Sequence, residues 1–583
     1  MKLETLMREG AVSRTGRSAV GFIARFCRKA LRRSLLLMIG FFVLLYLVPN
    51  SDVQAKPAES VRLVLLLVID QARAEYLERL RPIFKHGMKR LLDEGMQFTD
   101  AHQDHAQTST GPGHASIATG LYPSHSGIVS NSWFDRRRKR QMYCVGDEAS
   151  PLLPISTEPS DVSLAKSSSG RSPRNLLGTA LPDWLKQATP RSKTFGVSRK
   201  DRSAILMGGK QADGAFWYDS ESGDLITSRY YLDRYPQWMR NFLDRNIPDS
   251  YFGQTWTARP VDAETLKRLL IEEVDKGLFK QGFPYPFGDA TLSPNSRFYG
   301  DFGSTPYFEN YLLKFLHDLI AGEELGQDDD VDYVGVGFSV MDSVGHRYGP
   351  NSREVLDAWI RLDEGLGELF DYLDEKVGMG RVLISLSADH GVLTLPEYLV
   401  MKQQPGGRAT ASDVVCFQSA ARQFEQTFGQ DDWWISPFYL DYSTLGRRNL
   451  LRQRVEAEIA TLLESCSIVE KVWTRSQVQS APGSQDPFLR LFSRSFHPER
   501  SGDLFLQVKK YHLLSSRGTG TSHGSPYDYD THVPLLLRVP GMSAKKIPEP
   551  RVRTVDLAPT LASLLGISAP AELDGVDRSS LLR

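Results

Sequence analysis

The stretch Val61–Asp70, VRLVLLLVID, decides the fold: it is a continuous apolar run, rich in β-branched residues, that closes on an acid. A strand buried on both faces of a parallel sheet has this form, because neither face can carry alternating polar residues. Two later segments repeat the pattern, Val331–Asp342 (VDYVGVGFSVMD) and Arg381–Asp389 (RVLISLSAD), and a stretch of helical apolar spacing, Val355–Leu373, precedes the latter. Strands alternating with helices predict an α/β protein built on a doubly wound, mostly parallel sheet flanked by helices. Functional groups in such sheets gather at the carboxyl ends of strands, so Asp70, Asp342 and Asp389 stand where a site is built.

Outside these strands the chain is less regular. A tract at about 135–330, rich in Trp, Tyr, Phe, Pro and Gly, and a second at about 393–515 are expected as insertions forming cap or accessory segments. Both lie within a catalytic domain expected over 56–583, and Ser-rich Ser156–Pro173 is expected as a surface loop. No internal repeat is evident.

The formal net charge of +0 conceals an asymmetry: residues 1–55 hold nine Lys/Arg against three Asp/Glu. The remaining chain is therefore acidic, with no basic stripe of the kind a nucleic-acid-binding module needs. Arg25, Arg28, Lys29, Arg32 and Arg33 precede the apolar run Leu35–Val48, and Val53-Gln54-Ala55 offers a small-residue cleavage site. This is the layout of a signal peptide over 1–55, its apolar run short for a membrane span. The basic region is long, so either the true start lies downstream of Met1 or the segment stays as an anchor. Arg32-Arg33-Ser34-Leu35-Leu36 also resembles a twin-arginine signal with an unusually apolar core. A periplasmic or secreted protein is expected. Of four cysteines, Cys27 lies in the leader, and one pair among Cys144, Cys416 and Cys466 could bridge. CxxC spacing is absent, which argues against a cysteine-ligated zinc.

Asp and His side chains dominate the chemistry-bearing positions. Asp342 and His346 in DSVGH lie one helical turn apart, Asp389-His390 ends a strand just before Gly391, and His523 sits in the flexible GTGTSHG loop over 518–524. Gly391 is expected to let the backbone turn sharply. Each residue taken singly has a plainer reading as a helix cap, a surface group or a satisfied core histidine. Their coincidence on one chain is what points to a metal centre. Thr110 precedes Gly111-Pro112-Gly113 and a run of small residues, the pattern of a helix N-terminus with Thr110 near the cap. Free N–H groups and the helix dipole there favour an anion. His114, and with it His102, His105 and His125, is read as structural or exposed.

The ordered set Asp70, STGPGH over 109–114, DSVGH over 342–346, SADHG over 387–391 and SHGSPYDYDTHVPLLL over 522–537 resembles the alkaline phosphatase superfamily, close to its nucleotide pyrophosphatase/phosphodiesterase branch. The closing VRTVDLAPTLASLLGI from Val552 is similar to that superfamily's last helix. The resemblance implies two zinc ions, one held by Asp342, His346 and His523, the other by Asp70, Asp389 and His390 with Thr110 bridging to it. It further implies that Thr110 is the nucleophile, forming a phospho-threonine that water then hydrolyses. The Val197–Ile205 segment (VSRKDRSAI) resembles the Lys/Arg phosphate clamp of the threonine-nucleophile alkaline phosphatases, and Ser172–Leu177 (SPRNLL) matches the same subgroup. Lys200 and Arg202, two apart on an expected strand, would share one face, and Asn131 would donate to a phosphoryl oxygen. Without the resemblance these three read as surface charges and a turn residue.

An exported zinc alkaline phosphatase acting on small-molecule phosphate monoesters is therefore expected, with a phosphodiesterase or nucleotide pyrophosphatase on the same scaffold as the alternative. A non-catalytic binding protein of this fold would lack the nucleophile or a ligand, and neither is lost. A membrane-anchored phosphoryl transferase would retain the leader. Oligomeric state has no signature in the sequence.

Overall fold

The computed structural model describes residues 61–155, 170–269, 282–288 and 292–583. The leader and most of the Ser-rich stretch expected as a loop lie outside the described residues.

Nine strands form the central sheet: β1 Leu63–Ile69, β2 Met96–Phe98, β3 Thr194–Ser198, β4 Gly214–Tyr218, β5 Leu225–Ile226, β6 Asp332–Phe338, β7 Val382–Ser387, β8 Leu535–Arg538 and β9 Lys545–Ile547. Their order across the sheet is β9-β2-β8-β7-β1-β6-β3-β4-β5. The run β7-β1-β6-β3-β4 is parallel throughout, while β8 is antiparallel to both its neighbours and β5 to β4.

β1 shows why its sequence admits no polar residue. Leu63, Leu65, Leu67 and Ile69 pack into one apolar layer, and Val64, Leu66 and Val68 into the opposite one. The first layer is filled by α3 (Pro306–Gly322) and α5 (Arg353–Lys376), the second by α8 (Leu557–Leu565). Each side chain so buried contributes about 1.5–3 kcal/mol relative to exposure. The remaining helices that bear on function are α1 Thr110–Thr119, α2 Asp201–Gly208, α4 Val340–Tyr348, α6 Ala411–Phe428 and α7 Arg452–Glu464.

Part of the tract at about 135–330 proves to be sheet. It supplies β3, β4 and β5 and the core helix α3, so much of it is integral to the fold. These strands are short, and the glycines in TFGVS and GAFWY interrupt the apolar run that marks β1. The tract at about 393–515 holds a separate buried cluster, including Phe424, Trp433, Leu440, Val455 and Ile459. Within it Cys416 on α6 and Cys466 just beyond α7 form a disulfide with a sequence separation of 50. Closing a loop of that size is worth about 4 kcal/mol in the chain-entropy view. Cys144 is a buried free thiol.

Candidate active site

Four adjacent parallel strands, β7, β1, β6 and β3, end at one place and deliver the candidate residues to it. Asp70 directly follows β1, and Asp389 and His390 follow β7. Asp342 is not at the end of its strand as expected: β6 stops at Phe338, and Asp342 and His346 lie on α4, one turn apart. The loop that carries His523 is tied to α4 in both directions. Thr521 N–H donates to the His346 carbonyl at 2.8 Å, and His346 Nδ1 donates to the Thr521 carbonyl at 2.8 Å.

Two trios result, Asp70/Asp389/His390 and Asp342/His346/His523, each with one ligand atom per residue all within 4.8 Å of one another. In the second, His346 Nε2 lies 3.1 Å and His523 Nε2 3.6 Å from Asp342 Oδ1. In the first, His390 Nε2 is 3.5 Å from Asp70 Oδ1 and 3.3 Å from Asp389 Oδ2. Those same three atoms are buried without a hydrogen-bond partner. Convergent buried carboxylate and imidazole atoms left unsatisfied cost free energy unless a cation joins them, and the donor set is one that divalent zinc takes. His390, His346 and His523 each donate Nδ1–H to a backbone carbonyl, at 2.9, 2.8 and 2.7 Å, which turns Nε2 toward the trios. Such outer bonds fix the tautomer of ligating histidines.

Electrostatics agree with geometry. Burial raises the Asp70 carboxyl well above its usual range, and the nearby charges of Asp389 and Asp342 add to this. Burial would raise Asp342 too, but the Lys200 ammonium and the His346 and His523 imidazoles hold it well below that range. Asp389 is likewise held low against its burial by His390 and His114. Burial, reinforced by His390 stacked 3.5 Å away, pushes the His523 imidazole well below its usual range.

Thr110 is the first residue of α1, one past the N-cap Ser109. Its Oγ1 lies 3.3 Å from Lys200 Nζ and 3.4 Å from Arg202 Nη2. The helix start offers an anion fewer donors than the sequence suggests. Gly111 N–H is taken by Asn131 Oδ1 at 2.7 Å, Pro112 has none, and Gly113 N–H bonds the Ser109 carbonyl. Because Asn131 accepts with its oxygen, its amide NH2 is the end left to donate.

Lys200 and Arg202 are not on a strand. β3 ends at Ser198, Lys200 is the extended N-cap of α2, and Arg202 lies in its first turn. The change from extended to helical backbone still aims both side chains at Thr110. Lys200 Nζ also contacts Asp70 Oδ2 at 2.5 Å and Asp342 Oδ2 at 2.7 Å, so it spans the two trios. Arg202 is braced through Tyr143 Oη at 3.2 Å, itself bonded to Asp201, which Arg171 pairs at 2.5 Å. Gly391 corrects a further expectation. Its φ is not positive; a Cβ there would lie 2.2 Å from the Tyr529 carbonyl, so close approach, not a turn, requires glycine.

Several residues around the site have no readable sequence signal. Gln71, at φ 69°, donates Nε2–H to Asp342 Oδ1 at 2.7 Å and its backbone N–H to Asp389 Oδ1 at 3.1 Å, linking the trios. Fully buried His114 lies 3.3 Å from Asp389 Oδ2. His102 and His105 are buried, and His125 is exposed against Asp574. Arg199 donates to Ser343 Oγ on α4 at 3.2 Å, and Glu309 on α3 accepts from Val340 N–H at 2.8 Å.

Burial lifts the Glu309 carboxyl to about 8 from an unfolded value of about 4.5. Both states are neutral at pH 4. As pH rises toward 8 the unfolded chain ionises first, so stability is lost across that window. Glu309→Gln keeps the acceptor and removes the titration. Thermal melts should therefore show a gain over wild type on the order of a few kcal/mol at pH 8 and little difference at pH 4; a gain independent of pH would exclude this origin.

A family model described as type I phosphodiesterase/nucleotide pyrophosphatase matches residues 64–511. The chain is 33% identical over 518 residues to alkaline phosphatase PafA of Elizabethkingia meningoseptica, covering 88% of this chain and 92% of that one. It is 32% identical over 540 residues to alkaline phosphatase PhoV of Synechococcus elongatus, covering 90% and 93%. The crystal structure of wild-type PafA matches the fold with a TM-score of 0.79 at 30% identity, covering 90% of this chain and 99% of that one. Fold, site and relatives define a phosphoric ester hydrolase. The chain belongs to the type I phosphodiesterase/nucleotide pyrophosphatase family, within the alkaline phosphatase superfamily. That family is metal-dependent, and the two trios are the candidate ligand sets.

Proposed function

We propose that the protein is an exported alkaline phosphatase that hydrolyses small-molecule phosphate monoesters through a phospho-threonine at Thr110, with two zinc ions resident in the trios. The observation that carries the monoester reading is the convergence of Lys200 Nζ and Arg202 Nη2 on Thr110 Oγ1, at 3.3 and 3.4 Å. Bound zinc would supply Lewis-acid polarisation and lower the pKa of an oxygen held beside it.

The chain's own groups do the rest. Thr110 Oγ1 is the only hydroxyl of the STGPGH segment on which both cations converge, so it gives up its proton to solvent and attacks phosphorus, while the bond to the leaving oxygen breaks opposite and that oxygen takes a proton from solvent. Lys200, Arg202 and the Asn131 amide bind the non-bridging oxygens. A monoester carries more charge there than a diester, so donors at these oxygens favour it in the transition state. Water then cleaves the phosphothreonine and restores the hydroxyl. Export is supported by the basic and apolar leader and by the Cys416–Cys466 disulfide, which persists in oxidising compartments.

The test is turnover of p-nitrophenyl phosphate against bis-p-nitrophenyl phosphate by protein of measured metal content. A kcat/KM favouring the monoester is expected, abolished by chelation and restored by zinc. A large preference for the diester would replace this reading with the phosphodiesterase one.

A further inference from the structure

We propose that Asp100, His102 and His532 form a third divalent-metal site, separate from the two trios at the strand ends. One ligand atom from each lies within 4.8 Å of the others, the same convergence as in the active-site trios. The set of one carboxylate and two imidazoles matches Asp342/His346/His523 in kind. It suits a first-row divalent ion of the zinc class better than magnesium or calcium, which prefer oxygen.

As at the active site, each histidine has a hydrogen-bond partner on one ring nitrogen, which leaves the other for an ion. His532 Nε2 lies 3.0 Å from the Thr99 carbonyl, which can only accept, so Nε2 is the donating nitrogen and Nδ1 the one left for an ion. His102 Nδ1 lies 3.3 Å from the Thr531 hydroxyl, which can accept its proton and leave Nε2 for the ion. That Nε2 is 2.8 Å from Asp100 Oδ1. Arg551 Nε holds the other carboxylate oxygen at 3.2 Å, which orients Oδ1 toward the imidazoles. The two rings stack 4.7 Å apart at 8°, so small side-chain adjustments bring both lone pairs onto one ion.

Position gives the site a purpose. Asp100 and His102 follow β2, His532 precedes β8, and Arg551 follows β9, and these three strands are neighbours at one edge of the sheet. They are only three, four and three residues long, with few ladder hydrogen bonds to hold them. An ion here staples the short-stranded edge, joining segments far apart in sequence. The fourth coordination position falls to water, as in zinc sites with three protein ligands.

The experiment counts metal on the full-length protein. Wild type, His102→Gln and Asp100→Asn are stripped with chelator, reloaded with zinc sulfate, desalted and measured by inductively coupled plasma mass spectrometry. Each variant should hold one zinc fewer per chain than wild type, keep p-nitrophenyl phosphate turnover within about twofold, and show a smaller rise in Tm on zinc loading. Asp100→Asn preserves side-chain shape and an acceptor for Arg551, so a folding failure of His102→Gln leaves the question decidable. Equal zinc counts in wild type and both variants would overturn the proposal. The difference is read with the active-site trios untouched, so it does not depend on how many ions those trios hold.

Discussion

Thr110→Ala should lower kcat/KM for p-nitrophenyl phosphate by on the order of 10⁴–10⁶-fold, the scale seen when a covalent nucleophile is deleted. Nothing nearby can replace it. Thr108 donates its hydroxyl to the Ser525 carbonyl, and the Ser109 hydroxyl, though without a hydrogen-bond partner, is not the one that Lys200 and Arg202 contact. The substitution removes one small hydroxyl at a buried helix start that makes no side-chain cap bond, so folding should be unaffected and Tm nearly unchanged. Thr110→Ser should keep most of the turnover, since the nucleophilic oxygen remains. If Thr110→Ala retained more than a hundredth of wild-type activity, water and not threonine would be the attacking group.

Lys200→Ala combined with Arg202→Ala should reduce monoester turnover by about 10⁴–10⁶-fold, at roughly 10²–10³ for each charged donor lost from a developing oxyanion. Residual diester turnover should fall much less, because one non-bridging oxygen is esterified there and carries no charge to be held. The two residues are not equivalent. Arg202 is fixed by Tyr143 alone besides its contact to Thr110, whereas Lys200 also bonds Asp70 and Asp342. Arg202→Ala should therefore act on KM and kcat without altering metal content. Lys200→Ala removes a cation from between two carboxylates and should tighten metal retention while lowering turnover. Equal losses on monoester and diester in the double variant would show that the pair serves the fold and not the charge of the substrate.

The centre of the fold was legible because burial on both faces leaves an unbroken apolar run, as in β1. Asp70 and Asp389 were placed by the same logic, since a parallel strand that ends on an acid ends at the site. His346 and Asp342 were paired by helical spacing, although the strand was read too far and the helix start missed. The far half of the sheet was not legible: β3 to β5 are five residues or fewer, and their glycines break the pattern. Gln71 escaped because its role depends on a left-handed backbone that no side-chain pattern announces. Glu309 and Arg199 act on α4 from elsewhere in the chain, and only tertiary packing brings them there. The choice of Cys416 and Cys466 over Cys144 likewise required knowing which helices lie side by side.

The residues of the two trios reach from Asp70, at the start of the described chain, to His523, close to its end. Metal affinity is thus a property of the finished fold, and no fragment released early in synthesis could assemble either trio. Each ion captured draws the folding equilibrium toward the native state by mass action. An enzyme that needs both trios would gain activity only once the segment carrying His523 has docked.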